Sequence, residues 1–302
     1  MIKLPTGIEI NSLIDDLRCF SWEASEVLLY YAQILRNSNH KNSILRNDNE
    51  NDPVTLADLK VNEIVIKQIN QSYKNINWTI LSEENVKSEP YFFEKNRDWV
   101  WVLDPLDGTK DFIEGSSNYA MHLALNYKNK PVIGVVLIPE KNELWLSYEK
   151  KVWCERMNGS IINPNLLKAK ALQKMTLVTS KNHGNELLKN LIRKINFKEV
   201  KIMGSIGCKI ASILRGESDI YICLSVPGKS SPKDWDFASP EAILKAAGGA
   251  ITNINNEDLC YGKTNFKQEG IIIASNNLNM HGEICGQIKE IIRKNDLYPN
   301  LS

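Results

Sequence analysis

WVWVLDPLDGTKDF, residues 99–112, joins two different kinds of chain. Trp99 to Leu103 are aromatic, β-branched or aliphatic, the composition of a buried strand. Asp104 and Asp107 follow, set around Pro105, and then a Gly108-Thr109 pair. Asp104 is expected to leave the strand, Pro105 to fix the backbone, and a tight turn to bring Asp107 back beside Asp104. Carboxylates held that close repel one another unless cations sit between them. All-oxygen ligation suits a hard divalent ion, above all Mg²⁺, which keeps waters and takes a few carboxylates together with substrate phosphate. Gly108-Thr109 falls at the start of a helix or turn, where free backbone N–H groups make an anion site. A metal beside a phosphate cradle points to phosphoryl chemistry with water as nucleophile. An isolated D-P-x-D-G is also a common solvated turn, so the reading needs support from elsewhere.

Other acids occupy similar settings along the chain. Asp58 begins a helix after DPVTLAD (52–58), Glu83 and Glu84 follow the strand WTIL (78–81), and Asp236 lies in KDWDFASPEAI (233–243) ahead of a helix. Carboxylates at strand ends and helix starts face the crevice where α/β proteins bind ligands. Singly, each has a plainer reading: surface charge for Glu83-Glu84, a cap or first-turn acid for Asp58. Their joint occurrence, in order, favours a site.

Periodicity frames these motifs. Residues 11–37 carry Leu13, Ile14, Leu17, Val27, Leu28, Tyr31, Ile34 and Leu35 at helical spacing, as one helix or two, and 56–71 reads as another. From 78 onward short β-rich runs follow: 78–81, 99–103, 120–126, 132–138 and 143–148. Helix signals return at 185–196, 206–215 and 238–248, alternating with strands at 176–179, 219–224, 250–253 and 270–274. Helices then strands, followed by alternating α and β, predict a layered α/β protein. A boundary is expected near 160–168, dividing an N-terminal α+β domain (1–165) with most of the acids from a C-terminal α/β domain (166–302) with Asp236.

Bulk properties narrow the function classes. The 302 residues carry a formal net charge of +1, which gives no electrostatic case for nucleic acid or an anionic membrane. No stretch approaches the roughly 18 apolar residues of a membrane span. Six scattered cysteines with no Cys-x-x-Cys pair fit free thiols in the cytoplasm.

DPVTLAD, LSEEN (81–85), WVLDPLDGTKDF (101–112) and WDFASPEAILKAAGG (235–249) together resemble the lithium-sensitive, Mg²⁺-dependent inositol monophosphatase superfamily, over about 50–275. The resemblance implies an αβαβα sandwich of the inositol monophosphatase and fructose-1,6-bisphosphatase type, and two or three Mg²⁺ ions. It implies Glu83, Asp104, Asp107, Asp236 and the main-chain carbonyl of Leu106 as metal ligands, with Glu84 in support. Asp58 and Thr109 match a pair that activates water, and Gly108 belongs with them at the phosphate end.

Within the superfamily, DPLDGTKDF is most similar to the 3′(2′),5′-bisphosphate nucleotidases. Inositol monophosphatases more usually carry Ile at the position of Leu106 and Asn at that of Asp111. VTSKNH (178–183) and GSIGCKIASILRGESDIY (204–221) resemble their nucleotide- and phosphate-contacting segments, implying Ser180, His183, Ser205 and Lys209 as substrate contacts. His122, in an apolar strand, reads as structural. The implied reaction converts adenosine 3′,5′-bisphosphate to AMP and phosphate, a recycling step of sulfur assimilation, in a monomer or homodimer. The alternatives are an inositol or sugar monophosphatase and, from another class, a non-catalytic nucleotide-sensing protein.

Overall fold

The computed structural model describes residues 3–37, 44–47, 54–88, 98–166, 168–180, 186–225 and 231–297. Helix α1 (Ile10–Arg36) is one continuous element that buries Leu13, Leu17, Phe20, Ala24, Leu28 and Leu35, an apolar stripe at helical spacing. Strands β1 (Leu45–Asn47) and β2 (Val54–Thr55) pair antiparallel. They lead into helix α2 (Leu56–Ser72), whose start is a reciprocal cap. Thr55 accepts from Ala57 N, and Asp58 reaches back to the Thr55 N–H.

Seven strands then form one sheet in chain order: β3 (Thr79–Ser82), β4 (Trp99–Asp107), β5 (Ala120–Tyr127), β6 (Lys130–Ile138), β7 (Glu143–Tyr148), β8 (Lys151–Glu155) and β9 (Ile161–Ile162). β3 runs parallel to β4 and every later pairing is antiparallel. Short helices α3 (Glu83–Ser88) and α4 (Thr109–Ile113) follow β3 and β4.

The remaining chain is β10 (Thr176–Thr179), α5 (Glu186–Ile195), β11 (Glu199–Ile202), α6 (Ile206–Leu214), β12 (Ile220–Leu224), α7 (Asp234–Ala246), β13 (Ala250–Asn253), β14 (Ile271–Ser275) and α8 (Leu278–Lys294). Its sheet has the order β11-β10-β12-β14-β13, parallel across β11-β10-β12 and antiparallel beyond.

Side-chain alternation sorts these elements into five layers. Trp101, Leu103, Leu123 and Leu125 point to α1 and α2 on one face of the larger sheet. Val100, Val102, Ala120 and Ala124 point the other way, onto α6 and α7, which also meet Val178, Tyr221 and Ile272 of the smaller sheet. The far face of that sheet packs Leu177, Ile222 and Ile273 against α5 and α8. The expected αβαβα sandwich is the fold observed. Every residue of α6 is buried, as a helix lying between two sheets requires.

Two local readings change. Asp104 and Asp107 do not lie in a turn beyond the strand, because β4 runs through to Asp107. Asp104 pairs with His122 and Asp107 with Ala120, so three steps on β4 face two on β5. This is a β-bulge, and Pro105, which has no N–H to give a neighbouring strand, sits in it. Helix α7 begins at Asp234 rather than 238, placing Trp235 and Asp236 in its first turn. Pro240 lies inside the helix and has no N–H for the Asp236 carbonyl.

Among the described residues no helix is long and apolar enough to cross a membrane. The six cysteines are free thiols.

Candidate active site

In a regular strand, residues three apart face opposite sides of the sheet. The bulge absorbs one residue, and Asp104 and Asp107 therefore present carboxylates to the same side. Asp236 arrives from the first turn of α7, and one oxygen from each of the three lies within 4.8 Å of the others. With Mg²⁺–oxygen distances of about 2.1 Å, opposite ligands of one ion stand roughly 4.2 Å apart, close to the spread seen here.

The electrostatics favour a cation at this point. Burial pushes the Asp104 carboxyl well above the ordinary carboxylate range, and Glu83, Asp107 and Asp236 push it further. Asp236 is raised chiefly by burial, then by Asp107 and Glu83. The three converging ligand atoms are carboxylate oxygens, the donor set of a hard divalent ion.

Each acid is held from behind. Asp107 Oδ2 accepts from Ser205 Oγ (2.7 Å), from the Ile206 N–H and from the Gly207 N–H (3.3 Å). These donors form the start of α6, so the helix dipole supports the same charge and Oδ1 is left for a ligand. Asp104 Oδ1 accepts from the Leu106 N–H at 3.0 Å, and Asp236 Oδ2 from the Lys233 N–H at 2.6 Å. Glu83, the first residue of α3, pairs with Lys87 at 3.0 Å, and the buried Glu84 shares that lysine at 3.3 Å.

The second pair the sequence singled out also meets. Asp58 Oδ2 accepts from the Thr55 N–H (2.8 Å) and hydroxyl (2.6 Å), leaving Oδ1 facing Thr109 Oγ1 at 3.3 Å. The Thr109 hydroxyl lies 2.9 Å from the Leu106 carbonyl, its nearer acceptor. Burial, aided by Glu84 and Glu83 and opposed by Thr55, pushes Asp58 up to about 7. Gly108 sits between these groups at φ +89°, and a Cβ there would stand 2.9 Å from the Asn118 carbonyl. A left-handed conformation in so close a fit favours glycine.

The expected substrate contacts are placed less directly. Ser205 caps α6, accepting from Cys208 N at 3.2 Å while donating to Asp107. Lys209 is buried, donates to the Ser205 carbonyl at 3.2 Å and lies 5.4 Å from the Tyr221 ring centre. Burial lowers its pKa, against the pull of Asp107. Both residues thus lie beneath Asp107 rather than open to the crevice. Ser180 follows the C-terminal end of β10 and is half-buried. His183 lies outside the described residues. Thr55 and Lys87 were not singled out from sequence, although Thr55, three residues ahead of Asp58, carries the signal of a capping box.

Comparison with known proteins adds to this geometry. The model of the inositol monophosphatase family matches residues 16–293. The 3′(2′),5′-bisphosphate nucleotidase CysQ of Buchnera aphidicola is 34% identical over 214 residues, 70% of this chain and 75% of that protein. CysQ of Escherichia coli K12 is 26% identical over 70% of this chain and 80% of its own. Among solved structures, an inositol monophosphatase of Thermotoga maritima superposes with a TM-score of 0.71 at 20% identity, covering 94% of this chain and 99% of that one. One from Anabaena gives 0.68 at 19% identity, over 93% and 96%. These structures speak to the fold alone. The family match runs from the first helix to the last, and with it this chain belongs to the inositol monophosphatase family and is a phosphatase.

Proposed function

We propose that the chain is a Mg²⁺-dependent 3′(2′),5′-bisphosphate nucleotidase that hydrolyses adenosine 3′,5′-bisphosphate to AMP and phosphate. The observation that carries the hydrolytic part is the Asp58–Thr109 pair standing beside the Asp104–Asp107–Asp236 group. The substrate assignment rests on DPLDGTKDF and on the CysQ relatives. Glu83, Asp104, Asp107, Asp236 and the Leu106 carbonyl would hold Mg²⁺, which when bound lowers the pKa of water and offsets phosphate charge.

The chain's own residues then handle position and proton. Once the Leu106 carbonyl is committed to a cation, Asp58 Oδ1 is the acceptor left to the Thr109 hydroxyl. The Thr109 oxygen accepts from the attacking water, and Asp58 draws the proton onward. Thr55 keeps Asp58 in that orientation through two bonds to the far oxygen. The start of α6 holds Asp107 so that phosphate charge does not displace it.

The test compares phosphate release from adenosine 3′,5′-bisphosphate and inositol 1-phosphate at millimolar Mg²⁺. A higher kcat/KM on the nucleotide is expected, and a clear preference for inositol 1-phosphate overturns the substrate assignment. Asp107→Asn and Asp236→Asn should each abolish most turnover; near-wild-type rates would remove the metal assignment.

A further inference from the structure

We propose that His122 is a positioning residue of the metal site, bracing Asp107 from beneath through Nε2. The inference rests on the metal-dependent reading above and extends it to a residue that the acidic motifs do not single out. Pairing of β4 with β5 sets His122 opposite Asp104, on the same face as Ala120 and Ala124. The ring is fully buried, with Nε2 3.3 Å from Asp107 Oδ2. That oxygen is the one held by Ser205 and the start of α6.

Two observations set this apart from a core histidine that merely fills space. The buried ring has polar neighbours: Asp107 Oδ2 stands 3.3 Å from Nε2, and the Trp235 main chain hydrogen-bonds the ring. Space is also made for it. A Cβ on Gly207 would stand 2.2 Å from His122 Nε2, so a residue without a side chain is needed at the second position of α6. The Trp235 main chain, adjacent to Asp236, is the other group that acts on the ring. His122 therefore spans the two motifs that supply the site, β4 and α7.

His122 acts through Asp107, so its signature is metal affinity. Mn²⁺ binding is measured by calorimetry and by loss of the free-ion EPR signal on the full chain, for wild type, His122→Phe, His122→Asn and His122→Gln. Phe keeps ring volume without a donor, Asn places its amide near the Nδ1 position, and Gln reaches the Nε2 position. Phe and Asn should weaken Mn²⁺ binding about tenfold or more, the usual scale for a residue behind a ligand. Gln should restore most of it, with metal-free melting close to wild type in all folded variants. Unchanged Mn²⁺ affinity in the Phe and Asn variants, or Gln as weak as Asn, overturns the proposal. The Asn–Gln contrast decides it if the Phe variant does not fold. A wild-type chain that holds no Mn²⁺ overturns the metal site and this inference together.

Discussion

Asp58→Asn separates proton transfer from structure. The asparagine oxygen can accept the Thr55 N–H and hydroxyl bonds that Asp58 Oδ2 now accepts, which keeps the reciprocal bond of the capping box. Its NH₂ then faces Thr109 Oγ1, and the proton acceptor is gone. Loss of a general base of this kind costs about 10²–10⁴-fold in kcat, while Mn²⁺ affinity should stay close to wild type. Stability gives a second, independent reading. Asp58 has an ordinary value of 3.8 and is pushed up to about 7 in the fold, first by burial. At 1.36 kcal/mol per pH unit, ionising it costs the native state about 4 kcal/mol more than the unfolded chain. A folded pKa above the unfolded one contributes stability that is present below pH 3.8 and is lost as pH rises through 7. Metal-free wild type should therefore lose stability relative to the variant between those limits. The assay is urea unfolding in EDTA at half-unit pH steps, read as the difference between the two proteins, with steady-state phosphate release alongside. Parallel stability curves from pH 4 to 7, or a variant turning over at near-wild-type rate, would refute the reasoning.

His281 has the opposite sign. It is buried between Ser275 Oγ (2.7 Å from Nδ1) and Thr252 Oγ1 (2.8 Å from Nε2), and burial lowers it to about 4. As pH falls from 6.5 to 4 the unfolded chain takes a proton that the native state refuses, at a cost approaching about 3 kcal/mol. His281→Gln should flatten that acid limb in denaturant melts, and an unchanged limb argues against it. Ser205→Ala removes both the α6 cap and a bond to Asp107. It should cost about 1 kcal/mol of stability and weaken Mn²⁺ binding, and calorimetry showing full affinity would deny the second effect. Mg²⁺ at 100 times its Kd should add about 2.7 kcal/mol of stability, read as a rise in Tm that Asp104→Asn abolishes. Equal rises in both proteins would place the ion elsewhere.

Much of the layering was legible because burial imposes plain periods. The helical stripe of α1 and the apolar runs of β4 to β7 state their inner faces outright. Alternation of α and β after Thr176 announced the second sheet. What escaped depended on long-range contacts. A period of two places Asp104 and Asp107 on opposite faces, and only pairing with β5 reveals the bulge that reconciles them. The sequence signal for α7 starts at 238, whereas the Asp236 carboxylate bonded to the Lys233 N–H begins the helix earlier. β11 shows Val200 and Ile202 exposed at a sheet edge, which gives a weak apolar signal. In α8, Gly282 and Gly286 dilute a real stripe of Ile284, Cys285, Ile288 and Ile292. The acids themselves could be read as a set, but their supports could not. Thr55 is close in sequence to the acid it holds, while Ser205 meets Asp107 only across layers and His122 only through the pairing of β4 with β5.

The bulge also determines which kinds of mutation the site can survive. An exchange of side chain at Pro105 or Leu106 leaves the strand frame intact, because the carboxylates are placed by how many residues separate them. Inserting one residue there, with the bulge still absorbing only one, would leave Asp104 and Asp107 three effective steps apart, and every side chain beyond the insertion would rotate to the opposite face. Asp107 would move toward the α1–α2 side, away from the start of α6, with the sheet still fully paired. The result would be a protein that folds and does not bind metal, so insertion in this nine-residue strand should be far rarer than substitution.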